Sequence, residues 1–263
     1  DWMEEWLQTE WPELKVYLTS VTEEWSVATL SGPNAGKILK AAGVDISLDP
    51  ADFPFMTMRE AHIAGLPVRI FRISFTGELS YEINIRARHG LALWTHLMKA
   101  GAEFGITPYG TEAMHVLRAE KGFIIVGQET DGSVTPQDLG MDWIVSKVKP
   151  DYIGKRALER ASMAADNRKQ LVGLRTKERK QVIPEGAHAV LDPNQPMPMD
   201  MLGQVTSSYY SPNVGSSIAM AMLKGGRALM GGTVYLPMLD GSVIEAEVVK
   251  PIFYDPKGER LNG

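Results

Sequence analysis

The chain has 263 residues, a formal net charge of −5 and no cysteine; its 44% hydrophobic and 22% charged residues are those of an ordinary soluble globular protein. Without cysteine it has no disulfide, thiolate nucleophile or cysteine-ligated metal, which is compatible with a reducing, cytoplasmic location. The net negative charge gives no indication of a basic surface for nucleic acid. No apolar run approaches the length of a membrane span.

Residues 1–168 predict a domain that mixes helices and strands. The first predicted helix carries an apolar face, and this surface needs a cover, either the rest of the domain, an upstream region or a partner. The face consists of Trp2, Met3, Trp6 and Leu7. The pattern then predicts strand 26–30, a helix that opens after residues 31–34 and ends at Gly43, two strands within 56–73, a helix over 90–105, a helix over 111–122 capped by Thr111, and a last helix that follows residues 152–158.

Residues 72–84 predict a strand, a tight turn centred on Gly77 and a second strand. Side chains alternate between the two faces of a hairpin, but the turn interrupts the alternation, so the faces taken by Glu78 and Glu82 stay open. A carboxylate beside aromatic rings suits a flat heterocycle with adjacent N–H donors, because an ionised Glu accepts two N–H bonds while a ring stacks on the heterocycle. The alternative is a surface hairpin with two solvated acids.

Residues 169–263 predict only short strands and turns. Evenly spaced short strands with Gly and Pro between them are typical of a small antiparallel barrel or sandwich. The predicted strands lie at 171–175, 203–207, 218–223, 233–236 and 243–249. The predicted fold class is therefore α+β, followed by a small antiparallel β-barrel.

The common catalytic motifs are missing from the sequence. The five histidines are scattered without metal-ligand spacing, so no metal site is predicted. There is no phosphate-binding loop, dinucleotide-binding glycine motif or G-x-S-x-G elbow. The residue types alone thus indicate a two-domain binding or scaffold protein.

A family resemblance extends this interpretation. Residues 73–83 resemble the T-G-E hairpin of the aminomethyltransferase, or glycine-cleavage T-protein, family. The similarity continues in order through residues 116–122, 135–143, 151–155, 203–207 and 211–219. Residues 107–115 and 122–132 are most similar to the C-terminal part of the sarcosine oxidase α subunits of that family. The resemblance covers nearly the whole chain and implies the family's folate-binding fold, with its N-terminal part incomplete.

The resemblance also implies a site for tetrahydrofolate. The family binds the pterin with an aromatic residue in the hairpin and a Glu seven positions later, which correspond here to Phe75 and Glu82. Some relatives place an Arg near the glutamyl tail of the folate where this chain has Met114, so the tail contact is missing or comes from elsewhere. The expected folate-binding set is completed by Tyr81, Gln128 and Glu129. Arg118 and Glu120 are interpreted as structural residues.

The implied activity is that of a module in a larger enzyme. The expected reaction is the capture, as 5,10-methylenetetrahydrofolate, of the imine formed when sarcosine is oxidatively demethylated at a flavin. The flavin and NAD sites are expected elsewhere in the complex, the family's catalytic Asp before residue 1, and the fragment is expected to be inactive alone. Two alternatives stay open, a T-protein-like aminomethyltransferase and a non-catalytic scaffold that holds flavin-bearing subunits.

Overall fold

The computed structural model describes residues 1–262, and its contacts divide the chain into two compact units. The first unit consists of Asp1–Ser74, Leu79–Thr107 and Asn262, and the second of Phe75–Glu78 and Pro108–Leu261. No helix among residues 1–262 is both long enough and apolar enough to span a membrane.

The first unit contains a four-stranded antiparallel sheet with two helices packed on one face. Its elements are α1 (Trp2–Thr9), β1 (Trp25–Ser31), α2 (Ala35–Ala41), β2 (Thr57–Ile63), β3 (Leu66–Arg72), β4 (Ser80–Arg86) and α3 (Gly90–Gly101). The strand order is β1-β4-β3-β2. Every second residue of a strand faces the helices, so Ile70, Ile83 and Leu30 join Leu39 and Leu97 in one core. The strands predicted at 26–30 and within 56–73, and the helix that ends before Gly43, are confirmed.

The hairpin prediction needs a correction. The first strand ends at Arg72, and residues 73–79 form an irregular loop rather than a strand followed by a tight turn. Phe75–Glu78 leave the sheet and belong to the second unit, in which the side chain of Lys121 passes over Gly77. Gly77 still has the left-handed backbone expected of a turn glycine, with φ +80°.

The second unit is a closed six-stranded barrel with helices outside it. Its helices are α4 (Thr111–Glu120), α5 (Lys155–Leu158) and α6 (Ala161–Ala164), and its strands are β5 (Lys169–Thr176), β6 (His188–Ala189), β7 (Gly203–Ser211), β8 (Ser216–Lys224), β9 (Thr233–Pro237) and β10 (Val243–Val249). The strand order is β6-β7-β8-β5-β10-β9. Val190, the residue after β6, and Tyr235 of β9 exchange backbone hydrogen bonds of 2.8 and 3.0 Å. This bridge closes the sheet, as the barrel prediction requires.

The barrel interior is filled by the alternate apolar residues of its strands, such as Val172, Leu174 and Ala221. On the outside, α4 packs through Ala119 against Ile218 and Met220 of β8. Two helix predictions were wrong in detail. Gly110, not Thr111, precedes α4, with no side-chain cap, and the helix predicted after residues 152–158 is two separate four-residue turns.

Candidate functional site

Glu82 lies in the middle of β4, on the sheet face opposite the helices. It stands beside Thr29 of β1 and Phe71 of β3 in the ladder. Its side chain is half-buried, and within residues 1–262 its carboxylate has no hydrogen bond or ion pair. Burial without a partner raises the pKa of Glu82 above its ordinary value of 4.5. A desolvated, unpaired carboxylate is costly, and its acceptor oxygens are available to a ligand with N–H donors.

Tyr81 lies on the other face of the same strand. It is buried in the core of the first unit, where its ring centroid is 6.1 Å from that of Phe53. Burial raises the pKa of the Tyr81 hydroxyl, an effect that the nearby charge of Arg72 partly offsets. Because successive residues of a strand point to opposite faces, Tyr81 cannot stack on a ligand that Glu82 binds. The structure therefore gives Tyr81 a packing role, in contrast to the contact expected from the sequence.

The remaining predicted folate residues belong to the second unit. Phe75 is half-buried in the loop after β3, and Met114 is half-buried on α4. Met114 brings no charge for a glutamyl tail. The predicted set is thus divided, with Tyr81 and Glu82 in the first unit and the other four residues in the second.

Glu129 belongs to a buried polar network. Its side chain and that of Arg118 are both fully buried, with 3.0 Å between Arg118 Nη1 and Glu129 Oε2. The same oxygen accepts a bond of 2.7 Å from the backbone N–H of Ile125, and the other oxygen accepts one from the hydroxyl of Ser207. Arg118 also donates to Ser207 Oγ at 2.6 Å and to the carbonyl of Phe123 at 3.0 Å. Both carboxylate oxygens are occupied, so Glu129 ties α4 to β7 rather than facing a ligand.

Gln128 extends this network towards a polar cavity of about 420 Å³ in the second unit. Its amide nitrogen donates to Ser207 Oγ and to the carbonyl of Thr206, both at 3.0 Å. Other lining residues include Asp138 and Arg168, which form an ion pair with each other. The two hydrogen bonds of Gln128 to Thr206 and Ser207 hold its side chain against the barrel.

Glu120, at the end of α4, is also a buried carboxylate held by side-chain hydrogen bonds. Its carboxylate accepts bonds from Ser211 Oγ at 2.6 Å and Asn213 Nδ2 at 2.9 Å. The expectation that Arg118 and Glu120 are structural agrees with these contacts. In residues 1–262, no group of three or more His, Cys, Asp or Glu side chains could hold a metal ion.

The sequence interpretation missed the residues that hold the loop carrying Phe75. Lys121 packs against Gly77 with its alkyl chain, and Arg260 forms an ion pair with Glu78. In the sequence, Lys121 is distinguished only as one residue of the resembling segment 116–122. Nothing in the local pattern of residues 250–263 connects Arg260 with a loop 182 residues earlier.

Comparison with known proteins assigns the family. The model of the GCVT N-terminal domain matches residues 1–149, and that of the glycine cleavage T-protein C-terminal barrel domain matches residues 169–255. The sarcosine oxidase α subunit of Corynebacterium sp. (strain P-1) is 46% identical over the whole chain, which spans only 27% of that relative. An aminomethyltransferase of Halothermothrix orenii is 32% identical over 87% of this chain and 61% of its own length.

A solved structure shows the same fold. The crystal structure of the glycine cleavage system aminomethyltransferase T from Bartonella henselae superposes with a TM-score of 0.74 at 25% identity, over 88% of this chain and 60% of that one. The two matching domain models together cover most of the sequence. The chain therefore belongs to the GCVT family, the family of the glycine cleavage T-protein, and is similar over its full length to part of sarcosine oxidase α subunits.

Proposed function

We propose that this chain is the tetrahydrofolate-binding, one-carbon-transfer module of a sarcosine oxidase α subunit. In this role it takes up the imine from oxidative demethylation of sarcosine, so that tetrahydrofolate and the imine give 5,10-methylenetetrahydrofolate and glycine. The proposal includes a folate-binding domain at residues 1–168, a barrel domain at residues 169–263 and a cytoplasmic location. Flavin and NAD belong to other parts of the assembly, together with further subunits.

The observation that carries the proposal is the unpaired carboxylate of Glu82. A reduced pterin presents a ring N–H and an exocyclic amine side by side, and an ionised carboxylate can accept both bonds in parallel. These bonds stabilise the charged form of Glu82 and offset the penalty that burial imposes on it. Phe75, seven residues earlier, is the candidate to pack on the pterin or its linker. Glu82 and Phe75 then bind and orient folate, while no residue of this chain is assigned a proton-transfer step.

The competing function is that of an aminomethyltransferase. Two relatives at 30–32% identity are named aminomethyltransferases, but others at the same level are named dimethylglycine dehydrogenases, and the relatives at 46% identity are sarcosine oxidase α subunits. A third reading is a scaffold that keeps the fold and binds no folate. Folate binding distinguishes the scaffold from the two enzymatic functions. The source of the one-carbon unit then distinguishes the sarcosine oxidase module from the aminomethyltransferase.

Calorimetric titration of the chain with 5-formyltetrahydrofolate tests binding. We expect saturable one-to-one binding with a dissociation constant below about 1 mM. The affinity should fall as the pH decreases through the raised pKa of Glu82, because the protonated side chain loses acceptor capacity. The matched control ligand is p-aminobenzoylglutamate, which lacks the pterin and should not bind in a Glu82-dependent way. Absence of binding to the folate would favour the scaffold.

A product assay in the assembled, flavin-containing protein tests the reaction. With sarcosine and tetrahydrofolate, the one-carbon unit should leave as 5,10-methylenetetrahydrofolate. In the Glu82→Gln variant more of the imine should react with water and give formaldehyde and glycine. Activity with a carrier-bound aminomethyl group, and none with sarcosine, would support the aminomethyltransferase instead.

A further inference from the structure

The C-terminal segment 251–261, here called the strap, lies across the second unit and is bound to it at several points. The backbone N–H groups of Phe253 and Tyr254 donate to the carbonyl of Glu120 at 2.8 and 3.0 Å. The carbonyl of Pro251 approaches Gly122 so closely that a Cβ there would lie 1.9 Å from the oxygen. The strap is therefore seated against the end of α4 by backbone contacts.

Asp255 turns the strap and orients its end. Its backbone is left-handed, with φ +45°, and its carboxylate accepts bonds from the backbone N–H groups of Glu259 at 3.0 Å and Arg260 at 3.1 Å. Burial alone would raise the pKa of Asp255, but the bond from Lys121 and these two N–H groups outweigh it and lower the pKa. The carboxylate is therefore stabilised in its charged form.

Lys121 connects the strap with the loop that carries Phe75. Its side chain is only 6% exposed, and its ammonium group donates to the carboxylate of Asp255 at 2.9 Å and to the carbonyl of the same residue at 2.6 Å. Its alkyl chain crosses Gly77, where an added Cβ would lie 2.1 Å from Lys121 Cγ. Gly77 is required there both for this close approach and for its positive φ.

Arg260 makes the second connection. Its guanidinium group forms an ion pair with Glu78, whose side chain is 17% exposed, and lies 5.5 Å from the centroid of the Tyr254 ring. The bond to Glu78 raises the pKa of Arg260. Gly77 and Glu78, two and three residues after Phe75, are thus contacted by Lys121 and by Arg260 of the strap.

We propose that the strap positions the folate-binding loop: through Asp255–Lys121 and Arg260–Glu78 it holds residues 75–78 in the conformation that lets Phe75 meet a pterin. The inference rests on the proposed function. Arg260, Asp255 and Lys121 are positioning residues that determine affinity without touching the ligand, because a loop ordered in advance loses less entropy on binding.

The test compares three variants of the full chain, Arg260→Met, Arg260→Lys and Lys257→Met. The last removes an equal charge from the same segment, where Lys257 and Glu259 are 82% and 76% exposed. Hydrogen exchange of peptides covering residues 75–80, without ligand, measures the order of the loop, and calorimetry with 5-formyltetrahydrofolate measures affinity.

We expect Arg260→Met to speed exchange in the loop and to weaken folate affinity, each by about threefold to tenfold. Arg260→Lys should change the exchange rate and the folate affinity less than Arg260→Met does. Lys257→Met should leave both quantities unchanged. Unchanged exchange in Arg260→Met, or faster exchange with unchanged folate affinity, would overturn the positioning role. If the unaltered chain binds no folate, the proposed function fails, while the exchange experiment still decides whether Arg260 orders the loop.

Discussion

Two glutamates, one in each unit, show opposite environments. Glu129 is fully buried and both of its oxygens are occupied by Arg118, Ser207 and a backbone N–H group. Glu82 is only half-buried, yet its carboxylate has no partner within residues 1–262. The depth of burial alone would point to Glu129 as the functional residue. Because buried polar groups are normally hydrogen-bonded, the missing partners of Glu82, rather than its depth of burial, make it the candidate for ligand binding.

The largest loss of stability is expected when Glu129 is removed. In Glu129→Ala the guanidinium group of Arg118 stays buried without its counter-charge, so we expect a loss of about 3–5 kcal/mol in the free energy of unfolding. Urea denaturation measures this loss. The matched control is Glu245→Ala, which removes an exposed ion pair with Lys177 and should cost at most about 1 kcal/mol. Equal losses in the two variants would contradict a structural role for Glu129.

Asp138 is a second carboxylate that ion pairing stabilises, in this case with Arg168. Burial alone would raise the pKa of Asp138, but its bonds with Arg168 and Thr135 outweigh this effect and lower the pKa below the ordinary 3.8. We expect Asp138→Asn to cost about 1–3 kcal/mol near neutral pH.

The loss of stability in Asp138→Asn should depend on pH. A carboxylate with a lowered pKa stabilises the folded state above its unfolded pKa and loses this contribution as the pH falls through its folded pKa. The difference between Asp138→Asn and the unaltered chain, measured by urea denaturation, should therefore shrink below about pH 3.8. A difference that stays constant down to pH 2.5 would rule out the ion pair as its source.

The smallest expected effect concerns the stability of the Glu82→Gln variant. The pKa of Glu82 is raised in the folded state, so its ionised form destabilises the fold, and this cost appears as the pH rises through the raised pKa. A neutral Gln removes the cost, and near pH 7 we expect the melting temperature to rise by about 1–3 °C. A calorimetric scan measures it. A lower melting temperature would show that Glu82 has a structural role like that of Glu129.

The sequence predicted the architecture because its signals are local. Turn residues bounded the strand-like runs that became β1 to β3, and turn residues separated the barrel strands. The placement of Tyr81 was not predictable from parity, because the loop after Arg72 is irregular and the face is fixed by pairing with Leu30 of β1.

Polar contacts between residues far apart in the chain could not be predicted from the sequence for a different reason. Arg118 meets Ser207 across 89 residues, and Arg260 meets Glu78 across 182 residues. Neither pair produces a periodic pattern, and each residue by itself resembles an ordinary surface charge. The family resemblance indicated Glu82 and Phe75 as folate residues, but it carried no information on which charges hold the loop of Phe75 in place.

The most direct test is a folate titration of Glu82→Gln beside the unaltered chain. Charge-assisted hydrogen bonds contribute about 1.5–3 kcal/mol each, so affinity for 5-formyltetrahydrofolate should fall by about tenfold to a few hundredfold while the protein stays folded. Equal affinity in the two proteins would remove Glu82 from the site and contradict the account.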